Sequence, residues 1–156
     1  MREDILTGDW SKMNIVEIKT PDAIEKSYRV LNELRDSLTF QNFTYLYESA
    51  RDKSDFKMVG VFEDGQCVAV MGYRILFDFI HGKHLYVDDL VVTAEKRSTG
   101  MGAELLKYAE EKARELQCKG LRLCTGIQMK DAQRFYEKNG WQAKSIAYKK
   151  VFTEPA

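Results

Sequence analysis

Asn14 to Lys19 alternates apolar and polar positions as a strand does, and Thr20-Pro21-Asp22 then reads as a helix start. Ala23, Ile24, Tyr28, Leu31 and Leu34 recur at helical spacing through Arg35. After a loop around Ser37–Thr44, a second helix is expected from about Asn42 to Ser54. Lys57–Glu63 and Gln66–Phe79 form a hairpin pattern about Asp64-Gly65, a strong turn dipeptide. Gly82 marks the next turn, and Lys83–Val92 reads as a fourth strand. From Gly100 to Gln117 the period changes to helical, with Leu105, Leu106, Ala109, Ala113 and Leu116 on one face. A strand at Gly120–Cys124, a helix at Lys130–Lys138 stopped by Asn139-Gly140, and a last strand at Ser145–Phe152 complete the chain. Residues 1–13 have no periodicity and are expected to be a flexible lead-in to one domain over 14–156. The order β-α-α-β-β-β-α-β-α-β implies a mixed α/β sheet.

Composition narrows the partners. The 156 residues balance 24 Lys/Arg against 24 Asp/Glu, so nothing global points to nucleic acid or to a membrane surface. The halves differ: residues 1–96 carry 12 basic against 17 acidic side chains, and residues 97–156 carry 12 against 7. Such a split suits a polyphosphate at one end and a cationic amine at the other, and ordinary surface scatter produces it equally well. Cys67, Cys118 and Cys124 form no CxxC pair and read as reduced thiols of a cytoplasmic protein. No apolar run approaches membrane-spanning length, and Met1–Lys12 does not read as a signal peptide.

The chemistry concentrates in Tyr86–Leu106, YVDDLVVTAEKRSTGMGAELL, where a strand meets Arg97-Ser98-Thr99-Gly100-Met101-Gly102 and then a helix. Glycines at 100 and 102 allow backbone amides to approach a ligand closely. The first helical amides lack intrahelical partners and favour an anion, and Arg97 adds a forked cation suited to phosphate oxygens. A turn that only reverses the chain satisfies the same spacing. A P-loop is excluded because Gly-Lys-Ser/Thr is absent. A dinucleotide fingerprint is excluded because its third glycine position is Leu105 and no carboxylate follows near Leu121-Arg122-Leu123.

What remains resembles the acetyl-CoA site of the GNAT superfamily of N-acetyltransferases, whose signature is Gln/Arg-x-x-Gly-x-Gly/Ala between the fourth strand and third helix. Ala132-Gln133-Arg134-Phe135-Tyr136, followed by Gly140-Trp141, matches the family's second motif at the expected separation. The resemblance spans roughly residues 15–152 and implies a mostly antiparallel mixed sheet, helices on both faces, splayed between strands 4 and 5. It further implies acetyl-CoA as donor and transfer of its acetyl group to a primary amine by direct attack on the thioester. Backbone of Leu90, Val91 and Val92 would pair with the pantetheine arm, and amides from Ser98 and Thr99 through Gly100, Met101, Gly102 and Ala103, beside Arg97, would take the pyrophosphate.

By the same resemblance Tyr136 is the general acid, a phenol that stays protonated at neutral pH until a leaving group needs its proton. Asp88 is the candidate base or water-positioning residue. Asp89 is a substrate-side or structural acceptor, and a bulge in the fourth strand would let both carboxylates reach the cleft. Histidine is the usual side chain for proton transfer near neutral pH, but His81 and His84 flank Gly82 in a turn. Without cysteine partners at ligand spacing no metal is expected. The family's usual cofactor-contacting asparagine is replaced by Met129, with Thr125 or Gln128 as substitutes.

The acceptor should be gripped by the first helices and the third-strand hairpin, rich in Phe40, Phe43, Tyr45, Tyr47, Tyr73, Phe77 and Phe79. Phe40 and Tyr73 are the candidates among these, though alternate residues of Tyr73–Phe79 also suit sheet core. Arg74 is a candidate grip for an acceptor carboxylate, with a solvated surface arginine as the favoured alternative. A small-molecule amine is the first expectation. Acetylation of a protein N-terminus or lysine, and a catalytically silent acyl-CoA sensor, are the alternatives. Analogy also admits a homodimer through the last strand.

Overall fold

A computed structural model of the chain describes residues 13–153. The lead-in expected over 1–13 lies outside the described residues apart from Met13. The elements are β1 (Ile15–Glu17), α1 (Pro21–Leu31), α2 (Phe40–Ser54), β2 (Lys57–Glu63), β3 (Gln66–Asp78), β4 (Gly82–Val92), α3 (Met101–Glu115), β5 (Leu121–Leu123) and α4 (Lys130–Lys138). The chain divides into two compact units, Met1–Leu123 and Cys124–Ala156.

The first unit holds a five-stranded sheet in the order β1-β2-β3-β4-β5. Neighbours are antiparallel except β4 and β5, which run parallel. Side-chain alternation gives the sheet two apolar faces. On one, Val59, Val61, Met71, Tyr73, Leu85 and Val87 pack against Leu105, Ala109 and Ala113 of α3. On the other, Met58, Cys67, Val70 and Val91 pack against Val30 and Leu31 of α1 and Phe43 and Tyr47 of α2. Helices therefore cover both faces, as the resemblance implies.

Local chemistry explains the element ends. Thr20 Oγ1 accepts the Ala23 N–H at 3.2 Å, and Pro21 occupies the first helical turn, where its missing N–H costs nothing. The α1 pattern runs on to Arg35, but the helix stops at Leu31. Glu33 and Leu34 donate to the carbonyls three residues back, so the chain tightens into a turn. Thr39 caps α2 through the Asn42 N–H at 3.2 Å, which starts this helix two residues before the expected Asn42. Asp64 and Gly65 both have positive φ, 50° and 77°, the backbone a tight two-residue hairpin demands.

One expected element is corrected. Ser145–Phe152 is not a strand: residues 141–153 have no regular secondary structure. Ile146, Tyr148, Val151 and Phe152 are largely exposed. Alternation gives a segment the capacity to pair, but a strand exists only where a neighbour accepts its ladder. The second unit is ordered instead around α4. Gln133 Nε2 donates to the carbonyls of Gly126 (2.9 Å) and Ile127 (3.1 Å), and the Trp141 N–H returns to Tyr136 O at 3.0 Å.

Candidate functional site

Three features of the first unit converge around β4. The first is a bulge. Gly72 pairs with Asp89 and Tyr73 with Val87, so Asp88 is an extra residue on β4. Without it, consecutive carboxylates would point to opposite faces. With it, Asp88 and Asp89 both line one cavity of about 430 Å³.

That cavity has an apolar wall and a charged floor. The wall includes Leu38, Phe43, Leu46, Tyr47, Phe56 and Met58; the floor is Arg35, Arg74, Asp88 and Asp89. Arg74 grips Asp88 with two bonds, Nε to Oδ2 at 2.9 Å and Nη2 to Oδ1 at 2.7 Å. The Arg74 guanidinium also lies 5.5 Å from the Tyr86 ring centroid, with Arg122 5.1 Å from the same ring. Arg35, from the turn after α1, donates to Asp89 Oδ1 at 3.1 Å. Burial pushes the Asp89 carboxyl above the usual range, and Arg35 opposes that shift.

The second feature is the end of the β4–β5 ladder. Among the described residues, pairing runs only through Leu85–Leu121, Tyr86–Arg122 and Val87–Leu123, so Asp88–Val92 have no strand partner on that side. This is the splay the resemblance implies, and it leaves the backbone of Leu90, Val91 and Val92 without a strand partner on that side among the described residues. Their side chains remain in the core.

The third feature is the start of α3. Ser98 and Gly100 adopt positive φ, 65° and 84°, and Gly100 caps the helix without any side-chain hydrogen bond. The amides of Met101, Gly102 and Ala103 therefore stand at an uncapped positive helix end. The Met101 side chain is buried, so only its backbone is on offer. Thr99 Oγ1 donates to Lys96 O at 2.6 Å, and Arg97 Nε to Val92 O at 3.2 Å, which shapes the loop. Glu33 accepts from Thr93 Oγ1 (2.6 Å) and the Ala94 N–H (3.0 Å), tying the loop to the end of α1. These uncapped amides, the left-handed Ser98 and Gly100 and the adjacent guanidinium fit a pyrophosphate.

Not every expected residue joins the cavity. Tyr73 is corrected: it is 4% exposed on the α3 face, opposite Arg74, and its phenol bonds Tyr108. Phe40 also stays outside the lining and packs edge-on against Tyr28, ring centroids 5.3 Å apart. Phe77 and Phe79 are exposed near the β3–β4 turn. Arg35, Phe56, Met58 and Glu33 were not among the sequence candidates. The Arg35–Asp89 contact spans 54 residues, and no local pattern signals it.

In the second unit Tyr136 lies on α4 between Phe135 (5.3 Å) and Trp141 (6.0 Å), and burial raises its pKa. Met129 caps α4 without a side-chain bond, and Gln133 Nε2 donates back to the Gly126 carbonyl of the preceding loop.

A fold with a split parallel edge and an anion cradle at the next helix defines a class, and comparison with known proteins gives the family. Residues 22–141 match the acetyltransferase (GNAT) family, and the chain belongs to it. An uncharacterized N-acetyltransferase, YhdJ of Bacillus subtilis (strain 168), is 30% identical over 88% of this chain and 98% of its own length. The aminoalkylphosphonate N-acetyltransferase of Salmonella typhimurium is 25% identical over 96% of both chains. The crystal structure of glucosamine-6-phosphate N-acetyltransferase from Arabidopsis thaliana superposes with a TM-score of 0.72 at 23% identity, over 89% of this chain and 97% of that one, a likeness of fold. The chain is thus an acetyltransferase, and acetyl-CoA is its donor. Among the described residues no helix is long and apolar enough to cross a membrane.

Proposed function

We propose that the protein transfers acetyl groups to a small primary amine that also carries an acidic group. The carrying observation is the cavity floor, where two guanidinium and two carboxylate groups share one apolar recess. Its volume, about 430 Å³, suits a small molecule better than a peptide, which needs an open groove. Asp88 and Asp89 offer their remaining lone pairs to the ammonium, while Arg35 and Arg74 face its acid, a carboxylate or phosphonate. The relative that acts on aminoalkylphosphonates supports that acceptor chemistry.

Acetyl-CoA supplies an activated acetyl thioester when bound. The amides from Ser98 through Ala103, in the loop and the first turn of α3, would hold its pyrophosphate beside Arg97, and the edge of Leu90–Val92 that faces away from β3 would align its arm. Asp88, fixed at both oxygens by Arg74, orients the amine or a relay water, one of the two roles, base or water-positioner, expected for it from the sequence. Burial raises the Asp89 pKa, which suits this carboxylate to accepting the amine proton at Oδ. Tyr136 holds its phenolic proton through neutral pH, since burial raises its pKa further, and is the acid that releases it when the thioester breaks.

The test is thiol release from acetyl-CoA against aminoalkylphosphonates, amino acids, polyamines, aminoglycosides and short peptides. Turnover should favour the zwitterionic acceptors and fall by a factor of about 10² or more in Tyr136→Phe with KM little changed. Turnover of peptides alone would refute the small-acceptor reading. Acetyl-CoA binding without turnover of any amine would favour the silent sensor.

A further inference from the structure

At the far end of β4 from the bulge, the β3–β4 turn gathers three metal-ligating side chains. Asp78, His81 and His84 each present one donor atom, and the three atoms lie within 4.8 Å of one another. Asp78 pairs with Gly82 across the hairpin end, so the turn residues between them bring His81 back over the carboxylate. Asp78 Oδ1 accepts the backbone N–H groups of Ile80 (3.0 Å) and His81 (2.6 Å), which fixes its orientation and leaves Oδ2 to the two imidazoles. His81 Nδ1 stands 3.0 Å from Oδ2.

His84 is the telling member. It is 1% exposed, and its Nδ1 lies 3.0 Å from Gly82 O, which fixes the tautomer that carries the proton on Nδ1. Its Nε2 is then an acceptor lone pair, buried and without a hydrogen-bond partner among the described residues, 3.8 Å from Asp78 Oδ2. An orphaned buried acceptor of this kind carries a desolvation cost unless something occupies the position it faces. A carbonyl behind one ring nitrogen and an open lone pair on the other is the arrangement by which proteins orient metal-binding histidines.

We propose that Asp78, His81 and His84 bind one divalent late transition-metal ion of the zinc type, through Asp78 Oδ2, His81 Nδ1 and His84 Nε2. Around an ion with bonds of about 2.0–2.1 Å, tetrahedral donor atoms stand about 3.3 Å apart. The two carboxylate–imidazole separations, 3.0 Å and 3.8 Å, bracket that value, and all three donor atoms lie within 4.8 Å, so side-chain rotations that draw the two imidazoles together complete the site. Two imidazoles and a single carboxylate oxygen suit zinc, cobalt or nickel, whereas calcium and magnesium want more oxygen ligands. Asp78 and His81 are partly exposed, which leaves a fourth position to water. The ion clasps the hairpin end four residues along β4 from Asp88, outside the acceptor cavity. Cysteine spacing in the sequence argues against a metal because the third ligand here is an aspartate made available only by the turn.

The experiment uses tag-free full-length protein, stripped with a chelator and kept reduced. Zn²⁺ is titrated against a chromophoric indicator, and Co²⁺ is followed by its visible absorption. One equivalent should bind with micromolar or tighter affinity, Co²⁺ should give a low-symmetry band, and Zn²⁺ should raise the melting temperature. His81→Gln and Asp78→Asn, both at partly exposed positions, should each weaken binding at least about tenfold and abolish the thermal shift. Affinity no better than millimolar, or binding unchanged in both variants, overturns the proposal. His84→Gln is a third arm, read only if its circular dichroism matches the parent.

Discussion

Gly72 links the bulge to the acceptor cavity, and Gly72→Ala tests that link. A Cβ added there would stand 2.5 Å from Phe56 Cζ and 2.8 Å from Cε2, where ordinary contacts begin near 3.4 Å. The ring would have to retreat by nearly an ångström. Tyr47, edge-on at 6.1 Å, blocks one direction, and the free direction is the cavity that Phe56 lines. Overpacking of this kind costs about 1–3 kcal/mol, and open space on one side places the cost near the lower end. At roughly 3 °C per kcal/mol for a chain of this size, the melting temperature should fall by about 3–6 °C. The displaced ring also narrows the acceptor space, so acceptor KM should rise several-fold while acetyl-CoA KM holds. In a Phe56→Leu background the same alanine should cost under about 0.5 kcal/mol, because the clash has gone. Urea denaturation gives the free energies and steady-state kinetics the KM values. An unchanged melting temperature, or a full cost surviving in the Phe56→Leu background, would refute the steric argument.

Other expectations concern titration and reactivity. Asp89 has a raised native pKa, so the folded chain binds its proton more readily than the unfolded chain. Stability from this group therefore falls as pH rises from the unfolded value of 3.8 through the native one; Asp89→Asn should flatten that slope in urea melts between pH 4 and 7, and an identical slope would count against a buried carboxylate. Burial pushes the Cys67 thiol up to about 11, whereas Cys124 is exposed. A thiol reagent at pH 8 should modify Cys124 within minutes and Cys67 only on unfolding, and equal native rates would contradict the placement.

How much of this is written in local sequence can be judged residue by residue. Thr20-Pro21, Asp64-Gly65 and the α3 stripe Leu105, Leu106, Ala109, Ala113 announce their elements because caps, positive-φ turns and helical faces depend on neighbours a few residues away. Arg97 through Gly102 is legible for the same reason. Tyr73 is not: whether it faces the cavity or α3 depends on strand parity, and the bulge beside it changes the parity of β4. Arg35 and Phe56 reach the cavity through contacts far apart in sequence, to which periodicity is blind. Ser145–Phe152 has the alternation of a strand, yet pairing is a property of two segments, and only one can be read at a time.

The four charges on the cavity floor sum to zero, with each carboxylate matched to its own guanidinium. An acceptor entering this site exchanges partners with ions already paired; it is not captured by a bare charge. Its affinity should accordingly depend weakly on ionic strength, and a purely cationic amine gains little over water. The matching also constrains how specificity can drift. Replacing either arginine alone strands a half-buried carboxylate, and replacing either aspartate alone strands a cation, so new acceptors are most readily reached by changing a pair together.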